Sequence, residues 1–190
     1  MKIIVARYNE DITWSRYFPN VLLYNKGSPL EYENQIMLPN VGREGHTYYQ
    51  YIVDHYDQLD DYTIFLQGRP FDHSPNVLHQ LMNYTRSIPN LDFEWISEQM
   101  HRSTFALQRQ MYHWQCDNIY ETYQRVFGRP CTNDTCVFGA GAQFIVSKRR
   151  ILQRPKAFYQ NIVDILGTSV DPMEGYDMER FHGYIFSKVE

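Results

Sequence analysis

The sequence predicts an α/β fold in which a mostly parallel central sheet is flanked by helices. Three observations carry that prediction. The short apolar runs Ile3-Ile4-Val5-Ala6, Val21-Leu22-Leu23-Tyr24 and Ile64-Phe65-Leu66 are continuous rather than alternating, the pattern of strands buried on both faces. Each run stops at a polar, turn-forming segment. Stretches with helical spacing follow, so the organisation reads as strand, helix, strand, helix along the chain.

The first strand covers residues 2–6 and ends at the polar loop Arg7-Tyr8-Asn9-Glu10-Asp11. The second covers 21–24 and ends at Asn25-Lys26-Gly27-Ser28-Pro29. A glycine-bearing loop, Asn40 to Gly45, then leads a helix whose buried stripe is Tyr48, Tyr49, Ile52, Val53, Tyr56 and Leu59. Asp60-Asp61 closes that helix, and 62–66 makes the third strand. It stops within 67–73, because Pro70 has no N–H for the ladder. A short helix is expected around Val77, Leu78, Leu81 and Met82, and a strand over 93–96. Residues 97–115 have no clean period and receive no element. Ile119, Tyr123 and Phe127 mark a helix that Gly128 caps. The loop Gly139-Ala140-Gly141-Ala142 leads into a strand over 143–146, and Ser147 caps a helix over 148–153. Pro155 opens a helix through Phe158, Ile162 and Ile165 that ends at Gly167. The last helix runs from about Tyr176 to Phe186, with Asp177 and Glu179 in its first turn, where carboxylates offset the dipole.

The totals bound the function. A chain of 190 residues fits one domain, which buries roughly 70% of its unfolded surface. A net charge of −4 argues against nucleic-acid binding, which needs clustered Lys and Arg. No apolar run approaches the roughly 20 residues of a membrane span, and Met1 leads straight into a strand. A cytoplasmic protein without a transmembrane segment is expected. Cys131 and Cys136 are close enough in sequence for a loop disulfide, but a reducing compartment favours free thiols. The 16 tyrosines, 11 phenylalanines and 3 tryptophans suit flat amphipathic ligands such as sugars and bases, or simply fill the core.

In open α/β sheets, ligands bind beyond the carboxyl ends of the strands. The loops there offer Arg7, Tyr8, Asn9 and Glu10, then Asn25 and Lys26, then Gln67 and Arg69. Asn40, Arg43 and His46 stand at a helix N-terminus, where free N–H groups attract anions. Together they supply acceptors for a base and ribose and donors for a diphosphate: a nucleotide site. Gly42 and Gly45 lack the phosphate-loop pattern, since no Gly-Lys-Ser or Gly-Lys-Thr follows. Asp72-His73 either opens a turn at Ser74-Pro75 or ligates a divalent metal, Mn²⁺ or Mg²⁺, with His182 as a weaker third ligand. Asp177 and Glu179 are general-base candidates for removing a hydroxyl proton, or else they serve only the helix end.

With these pieces in order, the chain resembles glycosyltransferases of the GT-A class, whose sheet is Rossmann-like. The matching pieces are Val5-Ala6-Arg7-Tyr8-Asn9-Glu10, Leu23-Tyr24-Asn25-Lys26-Gly27, the Asn-x-Gly-Arg segment at 40–43, the glycine-rich strand entry at 139–146, and Asp177-Met178-Glu179-Arg180. The segments Ala-Arg-Tyr-Asn-Glu-Asp, Asn-Val-Gly-Arg-Glu-Gly-His-Thr-Tyr and Phe-Leu-Gln-Gly are also similar to a domain family of unknown function, and to proteins of large algal viruses regarded as glycosyltransferases. That closer resemblance spans about 3–186. It implies a nucleotide-sugar donor, a glycan or protein-linked hydroxyl acceptor, a nucleotide-binding half at about 1–75 and an acceptor half at about 76–190. GT-A enzymes usually carry Asp-x-Asp after the central strand, whereas this chain has Gln67-Gly68-Arg69. Either Asp72-His73 takes over the metal, or Arg69 stabilises the diphosphate without one.

Two other readings stand beside transfer. A carbohydrate- or nucleotide-binding module would keep the fold without chemistry, as the missing Asp-x-Asp suggests. A metal-dependent phosphoesterase built on Asp72, His73 and His182 would need denser Asp/His clustering than this chain has.

Overall fold

The computed structural model describes residues 1–87 and 90–186. Its strands are β1 (Lys2–Arg7), β2 (Val21–Asn25), β3 (Gln35–Met37), β4 (Tyr62–Gln67), β5 (Phe93–Trp95), β6 (Met100–Thr104), β7 (Thr135–Gly139) and β8 (Phe144–Ser147). The helices are α1 (Arg43–His55), α2 (Val77–Arg86), α3 (Phe105–Met111), α4 (His113–Cys116), α5 (Ile119–Phe127), α6 (Lys148–Ile151), α7 (Lys156–Leu166) and α8 (Met173–Phe186).

Six strands form one sheet in the order β3-β2-β1-β4-β8-β5, and β6 and β7 form a separate two-stranded ribbon. The first four pair in parallel, while β8 is antiparallel to both β4 and β5. The architecture is thus α/β with a mostly parallel, Rossmann-like central sheet. The continuous apolar runs divide by parity. Ile3, Val5, Ile64 and Leu66 face Trp14, Phe18, Val77 and Leu81. Ile4, Ala6, Phe65 and Phe144 face Tyr48, Ile52, Phe181 and Phe186 on the other side. Both faces are covered, as such runs require.

The register positions the site. Arg7 lies opposite Asn25, and Ala6 lies opposite Gln67. The carboxyl ends of β1, β2 and β4 are therefore level, and their loops open on the same side.

Several expectations are corrected. Strand and helix do not alternate throughout: only a 3₁₀ turn, Thr13–Tyr17, separates β1 from β2. The edge strand β3 was not expected, because its three residues Gln-Ile-Met have no apolar run and end exposed. The unassigned stretch 97–115 holds β6, α3 and α4. Residues of β6 alternate little and are mostly exposed, since the ribbon is covered chiefly where β7 meets α8. The final helix begins at Met173, so Glu174 occupies its first turn, and Asp177 and Glu179 sit a turn further in.

The caps agree with expectation. Gly128 ends α5 with φ 69°, and the Ser147 hydroxyl accepts from the Arg150 N–H to start α6. All three cysteines are free. Among the described residues, no helix is long and apolar enough to cross a membrane.

Candidate functional site

A cleft of about 540 Å³ opens at the level strand ends, within the usual range for small-molecule sites. Its walls come from Ala6, Arg7, Tyr8 and Glu10 after β1, Lys26 after β2, and Gln67, Arg69 and Asp72 after β4. Asn40, Arg43 and Glu44 join them from the start of α1, and Val170 and Asp171 from the approach to α8. Three loops far apart in sequence thus share one cavity. A smaller recess of about 130 Å³ adjoins it, with Arg43, Glu44 and Gln67 lining both. The recess adds His73, Gln115, Gly141, Tyr176 and Glu179.

The cations differ in how far they are committed. Arg7 is only 6% exposed and donates to the carbonyls of Tyr8, Glu10 and Ser28 and to Asn25 Oδ1. It builds the loop floor. Lys26 donates to the carbonyls of Val41 and Arg43, strapping β2 to the start of α1. Burial brings its pKa down to about 8, opposed by Glu44. Arg43 donates to Asp171 Oδ1 at 3.1 Å and its guanidinium lies 4.3 Å from the Tyr176 ring centroid. Arg69 is the most open of these, with 68% of its side chain exposed and a 3.5 Å pair to the exposed Asp72. Such surface pairs are worth little, so the guanidinium is available to an anion.

Backbone strain gathers at the same place. Arg43 and Ala142, neither of them glycine, both have φ 53°. Arg43 opens α1 at the cleft wall, and Ala142 follows Gly141 at the recess. Non-glycine residues adopt that region rarely and at a cost.

Some predicted site residues lie elsewhere. Asn25 is fully buried and holds Ser28, Gln35 and Arg7. Asn9 lines a neighbouring cavity with Asp11, Arg16 and Tyr32, and its Oδ1 accepts from the Ser28 N–H. His46 is 5% exposed and lines neither cavity, because the first turn of α1 carries it inward beside Gly167. Its Nδ1 has no partner, and burial, with Lys26 nearby, lowers its pKa to about 4. His182 is buried among Tyr48, Tyr49, Trp95 and Phe144, with Nδ1 2.7 Å from the Tyr49 hydroxyl. Burial lowers its pKa to about 3. It is a core histidine and lines neither cavity.

Asp177 and Glu179 part company for a geometric reason. Two positions apart on a helix means nearly opposite faces. Asp177 points away from the recess, fully buried, with Oδ2 accepting from the Thr122 hydroxyl at 2.6 Å and Oδ1 unpaired. Burial pushes its pKa up to about 7, against the pull of Thr122 and Arg180. Glu179 faces the recess. Its Oε1 accepts from the Gly141 N–H and its Oε2 from Arg180 Nη1, each at 2.7 Å. Burial raises its pKa, opposed by Arg180.

Asp72 and His73, the candidate metal ligands, turn different ways. Asp72 turns to Arg69 on the cleft rim, while His73 turns to Gln99 and lines the recess. Among the described residues, no group of three or more His, Cys, Asp or Glu is placed to hold a metal ion. Sequence reasoning missed Glu44, which reads as a solvated partner of Arg43, and Gln115, which lies in the unassigned stretch. Tyr176 and Gly141 carried a signal, since both stand in segments singled out for other reasons.

Comparison with known proteins adds one match. Neither the curated proteins nor the solved structures contain a match to the chain. A family model described as "Protein of unknown function (DUF3431)" matches residues 3–190. The match covers nearly the whole chain, and the protein belongs to that family.

Proposed function

We propose that the protein transfers a sugar from a nucleoside-diphosphate sugar to a hydroxyl acceptor. One observation carries the reading: the loops after β1 and β4 and the start of α1 line a single cleft that adjoins a carboxylate-bearing recess. The cleft wall offers Arg43 and Arg69 to a diphosphate, and the early N–H groups of α1 add their dipole. Tyr8, half exposed on the wall, offers a ring to a base or sugar. The recess beyond would take the reacting sugar carbon and the acceptor hydroxyl. A divalent metal would aid the leaving diphosphate by offsetting its developing charge.

The test is a titration of UDP, GDP and their sugars, with and without Mn²⁺, followed by melting temperature. A ligand at 100 times its dissociation constant adds about 2.7 kcal/mol of stability. The reading expects one nucleotide series to raise the melting temperature, and diphosphate release on adding an acceptor. No response across the panel would refute it. Binding without any transfer or hydrolysis would leave a non-catalytic nucleotide or carbohydrate module.

A further inference from the structure

Gly141 stands between two proton-handling groups. Its N–H donates to Glu179 Oε1 at 2.7 Å. A Cβ built on it would lie 2.5 Å from His73 Cδ2. Its φ of 78° belongs to the region glycine alone enters freely. The glycine therefore allows the imidazole of His73 and the carboxylate of Glu179 to flank the same small recess.

His73 is held there by the segment before β6. The Glu98 N–H donates to the His73 carbonyl at 2.9 Å, and the Ser74 hydroxyl donates to the Ile96 carbonyl at 3.2 Å. The Gln99 side chain then determines which ring nitrogen bears the proton. Its Nε2 donates to the Asp72 carbonyl at 3.2 Å. The reversed amide would set its oxygen against that carbonyl, so the orientation is fixed by the contact. Gln99 Oε1, 3.1 Å from His73 Nδ1, can only accept. The Nδ1 must carry the hydrogen. In the neutral ring Nε2 then holds a lone pair, and it makes no hydrogen bond to any described residue. Glu179, by contrast, has a donor on each oxygen.

We infer that His73 Nε2 is the proton acceptor for the attacking hydroxyl, and that Gln99 is the positioning residue that selects its tautomer. The inference rests on the reading of the cleft as a nucleotide-sugar site. In the step, the acceptor oxygen bonds to the anomeric carbon and its proton passes to Nε2. The bond from that carbon to the diphosphate oxygen breaks, and its electron pair leaves with the diphosphate toward Arg43 and Arg69. The resulting imidazolium keeps its Nδ1–H on Gln99, so the ring need not turn. The charged groups lining the recess with it are Arg43, Glu44 and Glu179.

Long-range ¹H–¹⁵N spectra of the histidine side chains test the tautomer, with His73 assigned by its loss in His73→Asn. The neutral ring should be protonated at Nδ1 in the wild type, and at Nε2 in Gln99→Leu. Diphosphate release from the UDP- and GDP-sugar panel tests the role. His73→Asn should lower kcat at least 100-fold while the UDP dissociation constant stays within about threefold. Gln99→Leu should lower kcat about tenfold. An Nε2–H tautomer in the wild type, or undiminished turnover in His73→Asn, would overturn the inference alone. Failure of every nucleotide to bind the wild type would bring down the cleft reading and this step together.

Discussion

Two carboxylates two positions apart on α8 have opposite chemistry. Asp177 is buried against Thr122 and Cys116 with a pKa near 7, whereas an ordinary aspartate titrates at 3.8. Between those values the folded state keeps a proton that the unfolded chain has released, so this group stabilises the fold at low pH and loses that contribution as pH rises toward 7. Asp177→Asn copies the protonated form. It should melt several degrees above the wild type at pH 8, with the difference vanishing near pH 4, as read by calorimetry across that range. The buried His46 and His182 act in the opposite direction, since their lowered pKa values make the fold lose stability as pH falls below the usual histidine range. Comparing variant with wild type at each pH removes their contribution. At the cleft, Arg69→Ala should weaken nucleoside-diphosphate binding about tenfold by calorimetry and leave the melting temperature within a degree or so, because its ion pair with Asp72 is exposed.

The turn between β7 and β8 shows what an element contributes. Gly141→Ala places a methyl group against the His73 ring in a backbone conformation that side chains avoid. The expected loss is about 1–3 kcal/mol in denaturant unfolding, together with loss of the 2.7 Å contact to Glu179. A neutral effect would mean that His73 does not stand where the recess needs it. Legibility in the sequence differed by element for physical reasons. Strands β1, β2 and β4 are buried on both faces, so their apolar runs announce them. Strand β6 is largely exposed and β3 is a three-residue edge, so neither had an apolar run to read. The start of α8 was placed three residues late, which put Asp177 and Glu179 in the wrong turn.

At the scale of the molecule, the level ends of β1, β2 and β4 make distant loops neighbours. Parallel strands in one sheet end on the same side, so the approach of 7–10, 43–46 and 67–73 to one cavity was legible, although Asn9, His46 and His73 do not line it. Which side chains face the cavity was not. Arg7, Asn25 and His46 have residue types suited to a ligand, yet their hydrogen bonds and burial serve the scaffold. Only tertiary packing separates those roles. The most direct measurement is amide chemical-shift mapping with UDP and GDP on the folded protein. The account predicts that the largest changes fall together on Tyr8, Lys26, Arg43, Glu44, Gln67 and Arg69. Changes confined to another face, such as the cavity formed by Asp61, Asp92, Lys148 and Leu152, would contradict it.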